Sequence, residues 1–336
     1  LIKTIRNHKD PNFPSILKSE STEKEQKIIS LLNQNIQDLY QNFLISIKLG
    51  HLMAPDLPNA TLTLDSMARY EELKPFISDF RRKLSAALQD ETQQAINAYL
   101  NADSKELLRR TNFKDKYRKY PEYLEKSIQL TGKQNFMIKI LEAKKYYFLG
   151  LNKRFEAISN RDYNLFAEAL EMQFKGLEFE PEASFILNEI ANIYASTNKP
   201  ELAKKYFHEA IILTPGWSIP YSNLSKLSIN SPAESIKYGK MATRLNETNV
   251  FAWNSLGTAY LRNNNLEDAE SCFIRAIKLE PKYSEAFYNL ACIRSIKNEI
   301  PEAKIISIQN MIYWEKTWWD IFSYFYDLGN EFNYSH

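Results

Sequence analysis

Apolar residues in the first third of the chain recur at steps of three and four. From Glu23 the set Ile28, Leu32, Ile36, Leu39, Phe43 and Ile47 keeps one face of a 3.6-residue helix apolar, which predicts a long amphipathic helix. Pro55 and Pro58, within residues 53–59, end it, because proline has no amide hydrogen to donate and crowds the preceding turn. A second helical stretch is expected from about Asp65, with Pro75 as a kink or boundary, and others follow at about 91–101, 104–119 and 122–130. Residues 1–20 hold Pro11 and Pro14 with little periodicity and read as a linker or extended arm. The helices of 21–135 are either worn repeats or an independent helical region.

Further along, the helical pattern itself repeats. Trp253, Leu256, Gly257 and Tyr260 are followed by Ala269, Phe273, Ala276 and Pro281. The same order appears as Leu187, Ile190, Ala191, Tyr194, Ala203, Phe207, Ala210 and Pro215. The interval from Tyr194 to Tyr260 holds two such units, so one further unit lies between the pair. That intervening unit keeps Tyr221, Leu224, Ser225, Ala242 and Leu245 but is two positions short, as the step from Ala210 to Ala242 shows, and the shortening is expected in a loop at Asn230, Ser231 and Pro232. Downstream, Phe287, Leu290, Ala291, Arg294 and Ala303 each stand one full unit beyond Trp253, Leu256, Gly257, Tyr260 and Ala269. Upstream, Ala169 and Pro181 lie one full unit before Ala203 and Pro215, and Leu149 and Gly150 suggest a fifth unit with a lengthened loop around Ser159 to Asp162.

The Trp253 unit resembles the tetratricopeptide repeat at all eight signature positions. The resemblance implies an all-α, right-handed solenoid of helix pairs, each burying its face only against its neighbours. It also implies a concave groove lined by the first helix of each pair, and a non-catalytic scaffold or substrate-recognition module that holds an extended peptide or another partner protein. Repeats are expected over 184–317, with a degenerate one at 143–183, so that the repeat region spans 136–317.

Groove-lining positions carry asparagine in every unit: Asn188, Asn223, Asn254 and Asn289, with Asn192 one turn beyond Asn188. An asparagine amide both donates and accepts, so a row of them can pair with the main chain of a bound peptide whatever its side chains. Asn223 and Asn289 directly precede the signature leucine, in the manner of the asparagine ladder of O-linked N-acetylglucosamine transferase, whereas Asn188 and Asn254 stand one place earlier. Lys226, Thr258 and Arg262 complete the candidate groove. A carboxylate clamp, which would capture a peptide C-terminus, is not expected, because its cationic positions hold Asn188, Phe251 and Ser255.

Charge adds a rival reading. Arg109, Arg110, Lys114, Lys116, Arg118 and Lys119, interleaved with Phe113, Tyr117 and Tyr120, could contact phosphates and stack on bases, as in a nucleic-acid or ribonucleoprotein-associated repeat protein. The bland alternative is a solvated helix face, favoured by 43 basic against 41 acidic residues and a net charge of only +2. The aromatic run from Tyr313 to Tyr326 is expected to cap the solenoid as a terminal helix and tail over 318–336, the alternative being a surface for homo-oligomerisation.

Chemistry is sparse. Only 8 glycines and no phosphate-loop, nucleophile-elbow or dinucleotide motif argue against those enzyme classes, and the four histidines form no metal-ligand pair. No cofactor, metal or catalytic residue is expected. Cys272 and Cys292 read as small apolar filler, and their number and spacing fit a reducing, cytoplasmic setting. No uninterrupted apolar stretch approaches the length that a membrane-spanning helix needs, so no span is expected. The chain opens on Leu1 rather than Met and is expected to be either a processed product or an excised part of a longer protein.

Overall fold

A computed structural model describes residues 20–111, 115–132 and 137–297. The arm at 1–19, Lys114, Ala303 and the aromatic run lie outside them. Among the described residues there is no strand and there are fifteen α-helices. In chain order the first eight are α1 Glu20–Ile29, α2 Gln34–Leu49, α3 Ala60–Met67, α4 Ile77–Leu100, α5 Ser104–Thr111, α6 Tyr120–Thr131, α7 Met137–Asn160 and α8 Leu165–Phe179. The remaining seven are α9 Ser184–Ser196, α10 Pro200–Leu213, α11 Ser218–Leu227, α12 Pro232–Leu245, α13 Val250–Arg262, α14 Leu266–Leu279 and α15 Ser284–Ile296.

These elements form two compact units. Of the described residues, one comprises those up to Ala95, those within Asp115–Leu149 and Glu178–Glu180; the other comprises those within Ile96–Lys114, Gly150–Leu177 and from Pro181 onward. In the first, the long helix expected from Glu23 is two helices. Asn33 interrupts it by accepting the Ile36 amide at 3.1 Å, the usual role of asparagine before a helix start. Tyr40, Phe43 and Phe80 pack together in its core, with the Phe80 centroid 5.7 Å from each of the other two. Buried Glu25 is held by Lys83 Nζ at 2.6 Å and by the Tyr40 hydroxyl at 2.8 Å. A buried carboxylate needs both, since charge out of water is tolerated only when paired and hydrogen-bonded.

The second unit is built of helix pairs. α9 with α10, α11 with α12, and α13 with α14 are antiparallel neighbours, and α15 packs on α14. Pro215 and Pro281 follow the second helices, and Pro181 follows α8. Asn198 and Asn264 sit in the left-handed region, at φ 55° and 58°, where asparagine replaces glycine at least cost and lets the chain reverse between helices. Gly257 is where α13 meets α14: a Cβ there would come within 2.6 Å of the Phe273 ring.

The middle pair reaches the same closeness by other means. Ser225 and Ser235 occupy the small-residue positions and exchange hydrogen bonds, each hydroxyl donating to the other's carbonyl at 2.9 and 2.7 Å. Gly239 stands where the neighbouring repeats carry Phe207 and Phe273, and Leu256 moves in so that a Cβ there would lie 3.0 Å from its Cα. The shortening of this repeat lies in the helix and not in the expected loop at Asn230: α11 is 10 residues against 13 for α9 and α13, while the loop 228–231 is one residue longer than 197–199 or 263–265. Likewise the added length near Ser159 is helix rather than loop. α7 runs to Asn160 and the turn follows at Arg161, φ 55°. Gly150 and Ala169 stand seven positions further apart than Gly257 and Ala269, and five of those seven extend α7 beyond the length that α13 keeps after Gly257.

Candidate binding groove

The first helices α9, α11 and α13 share one face, on which a cavity of about 540 Å³ opens. Its walls are apolar at Leu107, Ile158, Phe207, Ile219, Leu227 and Phe251, and polar at Asn192, Ser196, Ser222 and Asn223. Arg110, Arg154 and Lys226 also line it, and no carboxylate does among the described residues.

The asparagines on this face pair with one another. Asn223 Nδ2 donates to Asn188 Oδ1 at 3.3 Å and to Asn192 Oδ1 at 3.1 Å, and Asn289 Nδ2 donates to Asn254 Oδ1 at 3.0 Å. Both cross-repeat pairs are 35 residues apart, one more than the repeat length. The one-place offset of Asn188 and Asn254 is therefore what brings them into register, since a single step turns a side chain by about 100° around a helix. Asn188 and Asn254 are fully buried. Their remaining donors are also engaged: Asn188 Nδ2 with the Tyr99 hydroxyl at 2.7 Å, and Asn254 Nδ2 with Glu285 Oε1 at 2.9 Å. The row is an internal network.

Tyr99 belongs to a segment that sequence reasoning did not place here. The last turn of α4 and all of α5, Ile96–Lys114 in the division above, belong to the unit of helix pairs. Ala102, at φ 52°, turns the chain between the two helices, and Asp103 caps α5 by accepting the Glu106 amide at 2.9 Å. Tyr99 meets Trp217 edge-on at 5.4 Å and carries the Arg110 guanidinium 3.6 Å above its own ring. Arg110 Nε donates to buried Glu106 at 3.2 Å. Asn246 Nδ2 donates to the Asn101 carbonyl at 2.9 Å, and Leu108 packs on the cluster of Val250, Ala276, Tyr283 and Ala286. Burial pushes the Tyr99 hydroxyl above its ordinary range despite Arg110 and Arg154, so it stays neutral as an anchor.

The other candidates fall as follows. Lys226 is exposed, with Nζ 5.6 Å from the Phe251 ring. Its charge, aided by hydrogen bonds from Tyr283 and Asn254, holds the Glu285 carboxyl below the usual glutamate range. Thr258 turns its hydroxyl back onto the Asn254 carbonyl at 2.9 Å, and Arg262 is exposed at the end of α13. Arg154 pairs with fully buried Glu189, an ion pair for which the sequence offered no signal.

The basic run is divided between environments. Arg109 and Arg110 lie on α5, where Arg109 is exposed and 3.8 Å from Glu106 while Arg110 is buried. Lys116, Arg118 and Lys119 belong to the other unit. There Lys116 Nζ lies 5.9 Å from the Tyr120 ring, and Lys119 pairs with Glu91 at 3.0 Å and lies over Tyr123. Cys272 is buried, its thiol pushed up to about 12 chiefly by burial. Among the described residues no His, Cys, Asp and Glu group could hold a metal ion, and no helix is long and apolar enough to cross a membrane.

Comparison with known proteins agrees with the helix-pair architecture. The tetratricopeptide repeat family matches residues 250–283 and, in a second form, 186–215. Protein FlbA of Caulobacter vibrioides is 26% identical over 190 residues, which cover 54% of this chain and 32% of that protein. The chain thus spans about a third of the curated relative it matches. Among solved structures, TTC0263 of Thermus thermophilus, a thermophilic protein of the same repeat class, is 17% identical. It covers 52% of this chain and 92% of its own, with a TM-score of 0.46. YrrB, a repeat protein with an unusual peptide-binding site, is 21% identical, covering 55% and 94% with a TM-score of 0.38.

Proposed function

We propose, on the premise that this chain is a tetratricopeptide-repeat protein, that it is a protein-interaction scaffold which seats a partner polypeptide in the cavity beside α5. What carries this reading is the cavity itself: about 540 Å³, walled by aliphatic and aromatic side chains, with exposed Lys226 on its lining and no carboxylate among the described residues. Apolar walls with a few fixed polar groups are the general form of a binding pocket. Two of its three cations pair with the buried carboxylates Glu106 and Glu189; Lys226, whose charge also acts on Glu285, is the exposed one and so the cation best placed for a partner's acid.

The cross-repeat pairing changes the mode first expected. Each ladder asparagine already uses donor or acceptor atoms within the protein, so a bound segment would be read by the apolar walls and Lys226 before the ladder. An apolar side chain flanked by aspartate or glutamate fits that chemistry.

Peptides displayed on phage and selected on the purified chain test it, with affinities measured by fluorescence polarisation. The expected outcome is an acidic, apolar consensus whose affinity falls about tenfold in Lys226→Glu, roughly 1.4 kcal/mol. Selected peptides indifferent to both Lys226→Glu and Ile219→Asp would place the binding surface elsewhere.

A further inference from the structure

The groove already has an occupant. Tyr99, Leu107, Leu108 and Arg110 come from one short stretch, and each touches the helix-pair face or its cavity: Tyr99 through Asn188 and Trp217, Leu108 through the Val250 cluster, Leu107 and Arg110 as cavity walls. Asn246 holds the Asn101 carbonyl, so even the main chain of the turn is recognised. That is how a peptide ligand would be held, except that the ligand is part of the chain and is helical rather than extended. The described span of α5 is eight residues, and a helix of that length draws its stability from the face it covers.

We propose that the last turn of α4 together with α5 is an internal ligand of the groove, and that the partner fitting this face is an amphipathic helical segment, with a turn like that at Ala102, offering the same anchors. Those anchors are a hydroxyl-bearing aromatic for Asn188 before the turn and a pair of leucines on the helix after it, here with a carboxylate facing Lys226. Such a helix reaches the Asn188 side of the groove only when α5 has lifted off. Its apparent affinity is then the intrinsic affinity scaled by the fraction of molecules in which the face is open. This deepens the function proposed above, and rests on it for the claim that a partner binds.

Two measurements on the full chain decide the matter. In hydrogen–deuterium exchange of the unmodified protein, the amides of α5 should exchange at least tenfold faster than those of α9 and α13, as expected of an element that opens by itself. Exchange of α5 as slow as that of α13 would show a permanently docked element and overturn the proposal. In the second, a library of helical peptides is selected on Leu108→Asp, which weakens the docking of α5, and the winners are titrated against both forms. Binding at least tenfold weaker to the unmodified chain is expected. Equal binding to both forms would remove the gating role while leaving groove binding intact. Absence of any binder on either form would instead tell against the proposed function, and the exchange measurement would still decide whether α5 opens. Tyr99→Phe, which removes the hydroxyl that meets Asn188 and keeps the ring, serves where Leu108→Asp fails to fold.

Discussion

Two stretches of the same face make an instructive pair. Around α9 and α11, Asn188 and Asn223 bond across 35 residues, and the spare amide hydrogen of Asn188 goes to Tyr99 on a distant segment. Around α13 and α15, Asn254 and Asn289 make the equivalent bond, but the spare donor of Asn254 goes to Glu285, a residue of the adjoining repeat. The polar framework is thus duplicated, and what closes it is not. A buried amide must find a partner somewhere, because an unmet donor costs about 1–3 kcal/mol. One half satisfies it locally and the other by recruiting a piece of chain from far away in sequence. Only the second arrangement can be undone without disturbing a repeat.

Arg110→Ala should separate the halves most strongly. It takes the buried Arg110 partner from Glu106 and leaves exposed Arg109 at 3.8 Å, which costs up to about 3–5 kcal/mol when a buried pair is broken, unless α5 undocks and returns Glu106 to water. Exchange protection should therefore fall across α5 and the Tyr99 turn, and fall less across α13–α15, which α5 touches through Leu108. Gly257→Ala perturbs the opposite half, because the new methyl meets the Phe273 ring at 2.6 Å. Overpacking of this kind costs about 1–3 kcal/mol, readable as a shift in the urea midpoint.

Glu285→Gln is smaller, about 0.5–1.5 kcal/mol at neutral pH, because the amide keeps neutral hydrogen bonding where the carboxylate had charge-assisted bonds, and carries a pH signature. The folded-state acidity of Glu285 is strengthened by Lys226, so its stabilisation is present above the ordinary glutamate range and lost as pH falls through the lowered value. The mutant and the unmodified chain should differ at neutral pH and converge in acid, below the lowered value. A difference that persists unchanged in acid would show that Lys226 does not act on Glu285. Arg262→Ala, at an exposed helix end, should change stability by less than about 0.5 kcal/mol and so sets the baseline for the series.

The helix pairs were legible because their cause is local and periodic. Gly257 and Phe273 announce a close crossing in any context, and Pro215 and Pro281 mark where second helices stop. The asparagines were legible as a row on one face, but not as a network. The one-place offset between Asn188 and Asn223 looks like drift in a single repeat and becomes register only when neighbouring helices lie side by side. The occupant was hidden for a different reason. Ser104–Thr111 has an apolar side, yet nothing in so short a helix says which distant surface will cover it. Arg110, read as part of a basic run, is buried over Tyr99. In the same way Asn33 was passed over inside an apolar pattern that continues across it, although its side chain caps α2 and splits the expected helix.

The claim that a remote segment completes the asparagine network is tested most directly by a double-mutant cycle at Tyr99 and Asn188, with Tyr99→Phe, Asn188→Ala and the double variant compared by urea unfolding. The hydrogen bond between them predicts a coupling of about 0.5–1.5 kcal/mol, so that the double variant loses less than the sum of the singles. Additive losses, with coupling below about 0.3 kcal/mol, would contradict it.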